Sequence, residues 1–492
     1  MTKIGVIYNK KLSYPKFPFN PDKFYPEINY EYTFQSENLI YEEMRNLFNK
    51  MGYDKDNFNT KNWNPLGFLI NEGDKVLIKP NFVIDYDKHP FAVISHPSII
   101  RFLIDYINIA TGKSGEIIIG DAPQMNANIK KILEFTKIDK LIKYLNEKNM
   151  NVKFVDLRAE SVENNWEKRT FLNGDPLGSK IVDLKKESLL LELEKSNIAN
   201  FYGADYNRKI VNYNHNLNRN AYRVSQTLLD SDVVISVPKL KTHKKAGVTL
   251  NLKNFVGINV HKNYLPHYRI GCPKQNGDAY PNMNSFLNSL RFLRYLFRDC
   301  FLSRYDSKIG RFFHKLMDFR KYFEYAIIKT LFPQFYSQYF HLVDGNWNGN
   351  NTVWRTVLDL NIIIQYVNKD GVLEDKKQRK FFSVIDGIIG GERDGPLRPS
   401  KKKSGILVVG EELLLTDLVA TKIMGFEYKK IPLLKNALLL KSFPLIDKNY
   451  EDKIRIISND NNLHNNNLRN LNLNLNYIPS IGWSFIIKNQ NN

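Results

Sequence analysis

The stretch from Asp232 to Gly257, DVVISVPKLKTHKKAGVTLNLKNFVG, joins a short apolar run directly to five lysines and one histidine. The run does not alternate polar and apolar residues, which is typical of a strand buried on both faces of a sheet. Lysine is rarely buried without a partner, so the lysines that follow either lie in a solvated loop or surround something anionic. The stretch therefore predicts a buried strand with a cationic carboxyl end.

Further apolar runs have the same form, each ending in a polar residue and a turn-favouring residue. They are Lys75–Asn81, Glu116–Pro123, Phe381–Asp386 and Gly405–Gly410. Helical patterns occupy Ser98–Ala110 and Thr416–Met424, and Thr416 suits the N-cap position of the second helix. This order predicts an α/β protein with a mainly parallel or mixed sheet covered by helices.

The length of 492 residues exceeds what one hydrophobic core usually organises. We expect an α/β body in two parts, residues 1–262 and 344–458, separated by a basic aromatic helical insertion at 263–343. Residues 459–492 are expected to form an Asn-rich, flexible surface connection followed by a C-terminal strand.

The formal net charge of +20 favours an anionic partner, which is nucleic acid, a phospholipid surface, or a phosphorylated or carboxylated substrate. No zinc-finger, helix-turn-helix or RNA-binding signature is present, so nucleic acid is not the expected partner. The two cysteines, Cys272 and Cys300, are too few for an iron–sulfur cluster, which is therefore not expected. No secretion signal and no long uncharged apolar window are found, so we expect a cytoplasmic protein, with membrane association as an option.

Ligands of open α/β sheets bind beyond the carboxyl ends of the strands, and here those ends carry lysine, asparagine and aspartate. In an extended chain Lys239, Lys241 and His243 point to one side. Thr249 and Lys253 share a face whether VTLNLKN is a strand or a helix. The predicted catalytic residues are His243, Lys239, Lys241, Asp121 and Asp386, and the predicted substrate-binding residues are Lys79, Asn81, Thr249, Lys253, Asn254, His267, Gly391 and Glu392.

Alternative interpretations of these residues stay open. A lysine at a strand end is commonly a solvated loop residue, and Asp121 and Asp386 also suit turns and caps. The glycines of 390–395 permit close approach to an anion, but the order is not that of a P-loop. Asp121, Asp386 and Glu392 are the candidate ligands for a divalent cation, and His243 or His267 is the candidate general acid or base.

The insertion is most basic between Arg291 and Thr330, where ten Lys or Arg residues face four acids and aromatic residues are interleaved. Two interpretations fit this pattern. The aromatic residues either pack on the α/β body while the cations stay solvated, or they enter the headgroup region of an anionic membrane.

Several motifs together resemble one family. They are VLIKPN at 76–81, GDAP at 120–123, PKLKTH at 238–243, LPHYRIG at 265–271, DGIIGGERDGPL at 386–397 and TDLVATKIMG at 416–425. This sequence resembles the domain of unknown function 362 family, sometimes labelled iron–sulfur center proteins. Some members carry ferredoxin-type cysteine clusters, and this chain departs from that pattern.

The resemblance implies a broad function and no specific reaction. The family is similar, more distantly, to the N-terminal part of the lactate racemase family, which handles small hydroxy-carboxylates. Members with a basic aromatic insertion resemble proteins of cell-surface polysaccharide biosynthesis. From the lysine, histidine and aspartate residues at the strand ends we expect an enzyme that acts on a small phosphorylated or carboxylated metabolite by acid/base or group-transfer chemistry. The alternative is a non-catalytic protein that docks on anionic membrane or nucleic acid through the insertion.

Overall fold

The computed structural model describes residues 1–163, 168–194, 200–203, 207–302, 324–446 and 450–487. In chain order the strands are β1 (Thr2–Tyr8), β2 (Lys75–Pro80), β3 (Glu116–Asp121), β4 (Val152–Asp156), β5 (Glu160–Glu163), β6 (Lys168–Phe171), β7 (Ser179–Asp183), β8 (Phe201–Tyr202), β9 (His215–Asn216), β10 (Arg219–Ser225), β11 (Val233–Val237), β12 (Lys239–His243), β13 (Gly247–Thr249), β14 (Tyr268–Arg269), β15 (Lys380–Glu392), β16 (Ser400–Gly410) and β17 (Ile454–Ser458).

A ten-stranded mixed sheet forms the centre, in the order β17-β1-β16-β15-β11-β2-β3-β4, with β12 paired to β15 and β13. Strands β15, β11, β2, β3 and β4 are mutually parallel neighbours, whereas β16 runs antiparallel to both β15 and β1. Smaller sheets pair β7, β10 and β9, β14 with β8, and β5 with β6. The predicted α/β class with a mixed sheet is confirmed.

Helices cover both faces of this sheet. The α-helices are Leu39–Met51, Pro90–Val93, Pro97–Thr111, Ile129–Thr136, Ile138–Asn146, Leu191–Glu194, Arg208–Asn214, Gln226–Leu229, Asn251–Asn254, Ser285–Leu302, 324–331, Tyr336–Phe340, Val353–Tyr366, Leu413–Ile423, Pro432–Ala437 and Tyr450–Lys453. Short 3-10 helices lie at Lys55–Asn57, Gly112–Ser114, Lys185–Glu187, Phe255–Ile258, Lys262–Tyr264, Pro273–Gln275, Pro333–Phe335, Tyr428–Lys430 and Ile481–Ile486. Within the described ranges, none of the helices combines the length and the apolar composition needed to cross a bilayer.

Burial on both faces explains the uninterrupted apolar runs. In β11, Val233 and Ile235 enter the core that contains helix Pro97–Thr111, while Val234 enters the core on the other face with helix Val353–Tyr366. Neighbouring side chains of a strand point to opposite faces, so a strand between two cores has no polar face. The prediction that the apolar run of β11 is a strand buried on both faces of the sheet is confirmed.

The predicted end of β15 at Asp386 is wrong. The strand continues to Glu392 because β16 pairs with it from Ser383 to Glu392 and β12 joins from the other side. Lys239 pairs in register with Asp386, whereas Lys241 pairs with Gly391, so β15 contains a bulge between these positions. The glycines of this segment serve packing, because a Cβ at Gly391 would lie 2.5 Å from the Ala92 carbonyl oxygen.

Two boundary predictions near the C-terminus also fail. Thr416 is not an N-cap, since the helix begins at Leu413 and the Thr416 hydroxyl donates to the Glu412 carbonyl oxygen at 2.8 Å. The expected C-terminal strand is a 3-10 helix at Ile481–Ile486, which buries Trp483. The leucines of the Asn-rich segment anchor it to the body, because Leu463, Leu468 and Leu471 are buried in the core.

Candidate functional site

A cavity of about 920 Å³ opens beside the carboxyl ends of β2, β3 and β12. Cavities of this size are typical of small-molecule sites. The sequence-predicted residues in its lining are Asn81, Asp121, Lys241, His243, Thr249, Lys253, Asn254 and His267. The structure thus gathers strand-end residues from separate parts of the chain around one space.

A buried ion pair closes the back of the cavity. The Lys79 Nζ lies 2.7 Å from Asp121 Oδ1, and both side chains are almost fully buried. Asp121 lines the cavity, and Lys79 lies behind it, where its Nζ also donates to the Pro80 carbonyl oxygen at 2.8 Å. Gly257 packs against this pair, since a Cβ there would collide with the Asp121 carboxylate and lie 2.7 Å from the Lys79 Nζ. The charge of Asp121 is therefore balanced from outside the cavity.

Lys239 and Asp386 form a second pair that lies outside the cavity lining. The Lys239 Nζ is 2.9 Å from Asp386 Oδ2, and both side chains are fully buried. The Tyr14 hydroxyl donates to Asp386 Oδ1 at 2.6 Å, and the His96 backbone N–H donates to Asp386 Oδ2 at 2.9 Å. The expectation that Lys239 and Asp386 share a pocket with Lys241 is corrected, because pairing of β12 with β15 buries them.

The carboxylates expected to hold a cation do not meet. Asp121 pairs with Lys79, Asp386 pairs with Lys239, and Glu392 lies 3.3 Å from the Lys402 Nζ, away from the cavity. Gly391 likewise does not line the cavity. In the part of the chain that the structure describes, no group of three His, Cys, Asp or Glu side chains is placed to hold a metal ion.

Three cavity lysines lack a carboxylate partner. The Lys241 Nζ donates to Asn81 Oδ1 at 2.8 Å, and the Lys262 Nζ donates to the carbonyl oxygen of Ala122 at 2.6 Å. Neither has a carboxylate oxygen within 4 Å among the described residues, and the Lys253 Nζ has no hydrogen-bond acceptor among them at all. These three ammonium groups leave the cavity short of negative charge.

The aspartates of the lining do not supply the missing charge, because other groups bind them. The pairs are Asp121 with Lys79, Asp344 with Arg298, Asp394 with Lys244 and Asp87 with Lys131. Asp85 accepts a hydrogen bond from the Asn128 backbone N–H at 2.7 Å and keeps its charge, but among the described residues it has no lysine or arginine nitrogen within 4.0 Å. The unmatched positive charge therefore remains at Lys241, Lys253 and Lys262.

Burial makes these ammonium groups costly. It lowers the pKa of Lys253 to about 8, with a further contribution from the nearby Lys245. Burial lowers the pKa of Lys262 to about 7 although Asp121 opposes the shift, and it holds the pKa of Lys241 well below its usual range. An anion in the cavity would stabilise all three charged forms.

The two cavity histidines have opposite tautomers. His243 Nδ1 accepts hydrogen bonds from the backbone N–H groups of Lys245 and Ala246, so the proton of the neutral ring is on Nε2. His267 Nδ1 lies 2.8 Å from the Leu265 carbonyl oxygen and must donate to it, so Nε2 is the acceptor nitrogen. Burial, with Lys253 and Lys245, lowers the pKa of His267 to about 3 and holds that of His243 well below 6.5. Both rings are neutral at physiological pH.

A buried carboxylate positions the short helix that carries Lys253. Asp417 accepts the backbone N–H groups of Asn251 and Leu252 at 2.8 and 3.0 Å. Burial raises the pKa of Asp417 to about 7. The segment predicted as either strand or helix is both, since β13 ends at Thr249 and the helix begins at Asn251.

Sequence reasoning did not select Lys262 or Lys245. Lys245 belongs to the lysine-rich stretch from Asp232 to Gly257, but it lies in a turn and therefore has no periodic relation to the selected residues. Lys262 begins a 3-10 helix after the stretch and is buried through its contact with β3. Its position depends on a contact between residues 140 apart in the chain, which no local pattern encodes.

The comparisons with known proteins support one family. A family model described as domain of unknown function (DUF362) matches residues 76–186 and 184–422. No curated protein is significantly similar to this chain. The crystal structure of a protein from Thermotoga maritima is 12% identical, with a TM-score of 0.32, and the match covers 77% of this chain and 58% of that chain. This likeness is too low to indicate a shared fold or function.

Proposed function

Since this chain belongs to the domain of unknown function (DUF362) family, whose description specifies no reaction, we propose a function from the chemistry of the cavity. The protein is an enzyme that binds a small phosphorylated or carboxylated metabolite between Lys241, Lys253 and Lys262. A place in cell-surface polysaccharide metabolism, which the family resemblance implies, stays a prediction.

The observation that carries this proposal is the absence of an acceptor for the Lys253 Nζ among the described residues. An ammonium group at a cavity wall loses part of its hydration and needs a compensating partner. Lys241 and Lys262 surround the same space, so an anion there interacts with three cations at once. Lysines that serve only solubility are exposed to solvent and do not line one cavity together.

The histidine pair supports catalysis. His267 Nε2 is an acceptor nitrogen that can take a proton, and the His243 ring N–H can donate a hydrogen bond to negative charge that develops on the substrate. A bound anion offsets the positive field of Lys253 and Lys245, so it raises the pKa of His267 from about 3 toward the useful range. Binding of substrate therefore makes His267 a stronger base.

Mass spectrometry tests this function. We expect native spectra of protein incubated with a metabolite extract to show one bound small anion per chain. That ligand is expected to change in mass, or to gain deuterium in D₂O, as the reaction proceeds. His267→Gln should keep the affinity within about threefold but slow turnover by about 100-fold or more, because it removes the ring nitrogen that takes the proton. A ligand that binds but never changes would indicate a binding protein, and no bound anion would contradict the proposal.

A second proposal is peripheral contact with an anionic membrane through the insertion. In helix Ser285–Leu302 the arginines point inward, since Arg294 lies 2.9 Å from Glu324 Oε2 and Arg298 lies 3.1 Å from Asp344 Oδ1. In the described part of this helix the interpretation with packed aromatics and solvated cations fits only in part, because Tyr295 is packed in a core cluster but Arg294 and Arg298 are ion-paired. Several apolar side chains are exposed instead, including Phe286, Leu293, Leu296, Ile327 and Leu331. Residues 303–323, which hold six of the ten basic residues, lie outside the described residues.

Vesicle co-sedimentation tests this contact with a matched control. Leu293→Ser should reduce binding to anionic vesicles at low salt several-fold, because it removes apolar area that would enter the headgroup region. Leu439 has the same exposed fraction of 62% and lies outside the insertion, so Leu439→Ser should leave binding unchanged. Binding should weaken as the Debye length falls from about 10 Å at 0.1 M salt to about 3 Å at 1 M. Equal binding to neutral and anionic vesicles would end the proposal.

A further inference from the structure

The cavity offers more hydrogen-bond donors than one carboxylate can use. The Thr249 hydroxyl lines the cavity, is 3% exposed and has no hydrogen-bond partner among the described residues. It stands with the ammonium groups of Lys241, Lys253 and Lys262 and with the ring N–H of His243. A buried hydroxyl without a partner is costly, so the site is completed by a ligand with several acceptor atoms.

The donors also reach the cavity from different elements. Lys241 comes from β12, Lys253 from helix Asn251–Asn254 and Lys262 from the 3-10 helix that it begins. A carboxylate is planar, carries one charge and is best matched by the flat fork of arginine. A phosphoryl group is tetrahedral, carries about −1.5 to −2 charges at pH 7 and suits lysine ammonium groups as point charges.

We propose that the substrate carries a phosphoryl group, as a phosphomonoester or a diphosphate, and that Lys241, Lys253, Lys262 and Thr249 bind it. This assignment rests on the proposed function and narrows its substrate class. The cavity of about 920 Å³ is much larger than a phosphoryl group, and its lining also includes Val83, Ile84 and Tyr86. These side chains provide contacts for the organic part of the substrate.

Binding of this group is coupled to protons. Without ligand, Lys253 and Lys262 lose their protons near pH 8 and pH 7, and a bound dianion favours the protonated forms. Both lysines are thus already protonated before binding at low pH, whereas at high pH they must take up protons on binding. Affinity should fall as the pH rises from 7 to 9. Sulfate is a suitable probe, because this tetrahedral dianion does not itself titrate in that range.

Isothermal titration calorimetry at constant ionic strength tests the assignment with pyrophosphate, sulfate, citrate and acetate. At pH 7 we expect pyrophosphate to bind at least 100-fold more tightly than acetate and at least 10-fold more tightly than the polycarboxylate citrate. The dissociation constant for sulfate should rise at least tenfold from pH 7 to pH 9. Thr249→Val keeps the shape of the side chain, so it should weaken pyrophosphate binding about tenfold and leave acetate binding unchanged.

The outcomes separate this inference from the proposed function. Citrate or acetate binding as tightly as pyrophosphate would overturn the phosphoryl assignment and leave an anion-binding enzyme. Pyrophosphate binding that is unchanged by Thr249→Val would also count against the assignment. Failure of every anion to bind would overturn both proposals. The circular dichroism spectrum and melting temperature of the valine variant should match those of the unmodified protein, so that a loss of binding reports on the site.

Discussion

Asp386→Asn is expected to lower the free energy of unfolding by about 3–5 kcal/mol, because it leaves the Lys239 ammonium group buried without its carboxylate. The amide keeps the size of the side chain but not its charge. Burial already lowers the pKa of Lys239, and Asp386 opposes that shift. The loss of stability should therefore shrink as the pH rises, since deprotonation of Lys239 removes the uncompensated charge.

Urea denaturation followed by circular dichroism measures this effect, and two further variants show its origin. Lys239→Met combined with Asp386→Leu should recover most of the stability, because apolar residues of similar volume often replace a buried ion pair at little cost. Asp87→Asn breaks the exposed pair with Lys131 and should change stability by less than about 1 kcal/mol. Asp386→Asn with the stability of the unmodified protein would show that this pair does not hold β12 on the sheet.

Lys253→Met is expected to act in opposite directions on binding and on stability. It should weaken anion binding about 100-fold, since it removes a charged donor that has no acceptor among the described residues. It should also raise the stability of the unliganded protein by about 1 kcal/mol, because methionine needs no compensating charge. The folded-state pKa of about 8 lies below the usual lysine value near 10.4, so the stabilisation is largest below pH 8 and disappears above about pH 10.4.

Calorimetry and urea denaturation on the same preparations test both effects. The matched control is Lys140→Met, an exposed position on helix Ile138–Asn146, which should alter neither quantity measurably. A variant that loses binding and stability together would indicate a structural lysine instead of a ligand-binding one. Unchanged binding in Lys253→Met would contradict the proposed function directly.

Local patterns were sufficient to predict the body of the fold. The apolar runs at β2, β3 and β11 are uninterrupted because helices cover both faces of these strands. An uninterrupted run of apolar residues is therefore enough to predict that such a strand is buried on both faces. The continuation of β15 beyond Asp386 was not predictable in this way. Glycine and charged residues usually end a strand, but here β12 and β16 satisfy the backbone of β15 on both sides.

The grouping of several candidate residues was predicted, but their ion pairing was not. Strand-end lysines and histidines favoured an anion site, which stays a prediction, and Lys241, His243, Thr249 and Lys253 do line one cavity. The sequence pattern did not show that Lys241 lines the cavity and Lys239 does not, because both side chains point to the same side of β12. The difference arises from Asp386, which lies 147 residues from Lys239 in the sequence and neutralises it. Such pairings follow from strand order and not from local spacing.

The bulge in β15 places more residues in that strand than in β12 over the same part of the sheet. One residue of β12 lies between Lys239 and Lys241, whereas four residues of β15 lie between their partners Asp386 and Gly391. Lys239 and Lys241 are close neighbours in β12, so a residue gained or lost in this bulge would leave both lysines in place and shift only the part of β15 that follows, including Glu392. The length of β15 beyond Asp386 can thus change without altering the ion pair that anchors β12 on the sheet.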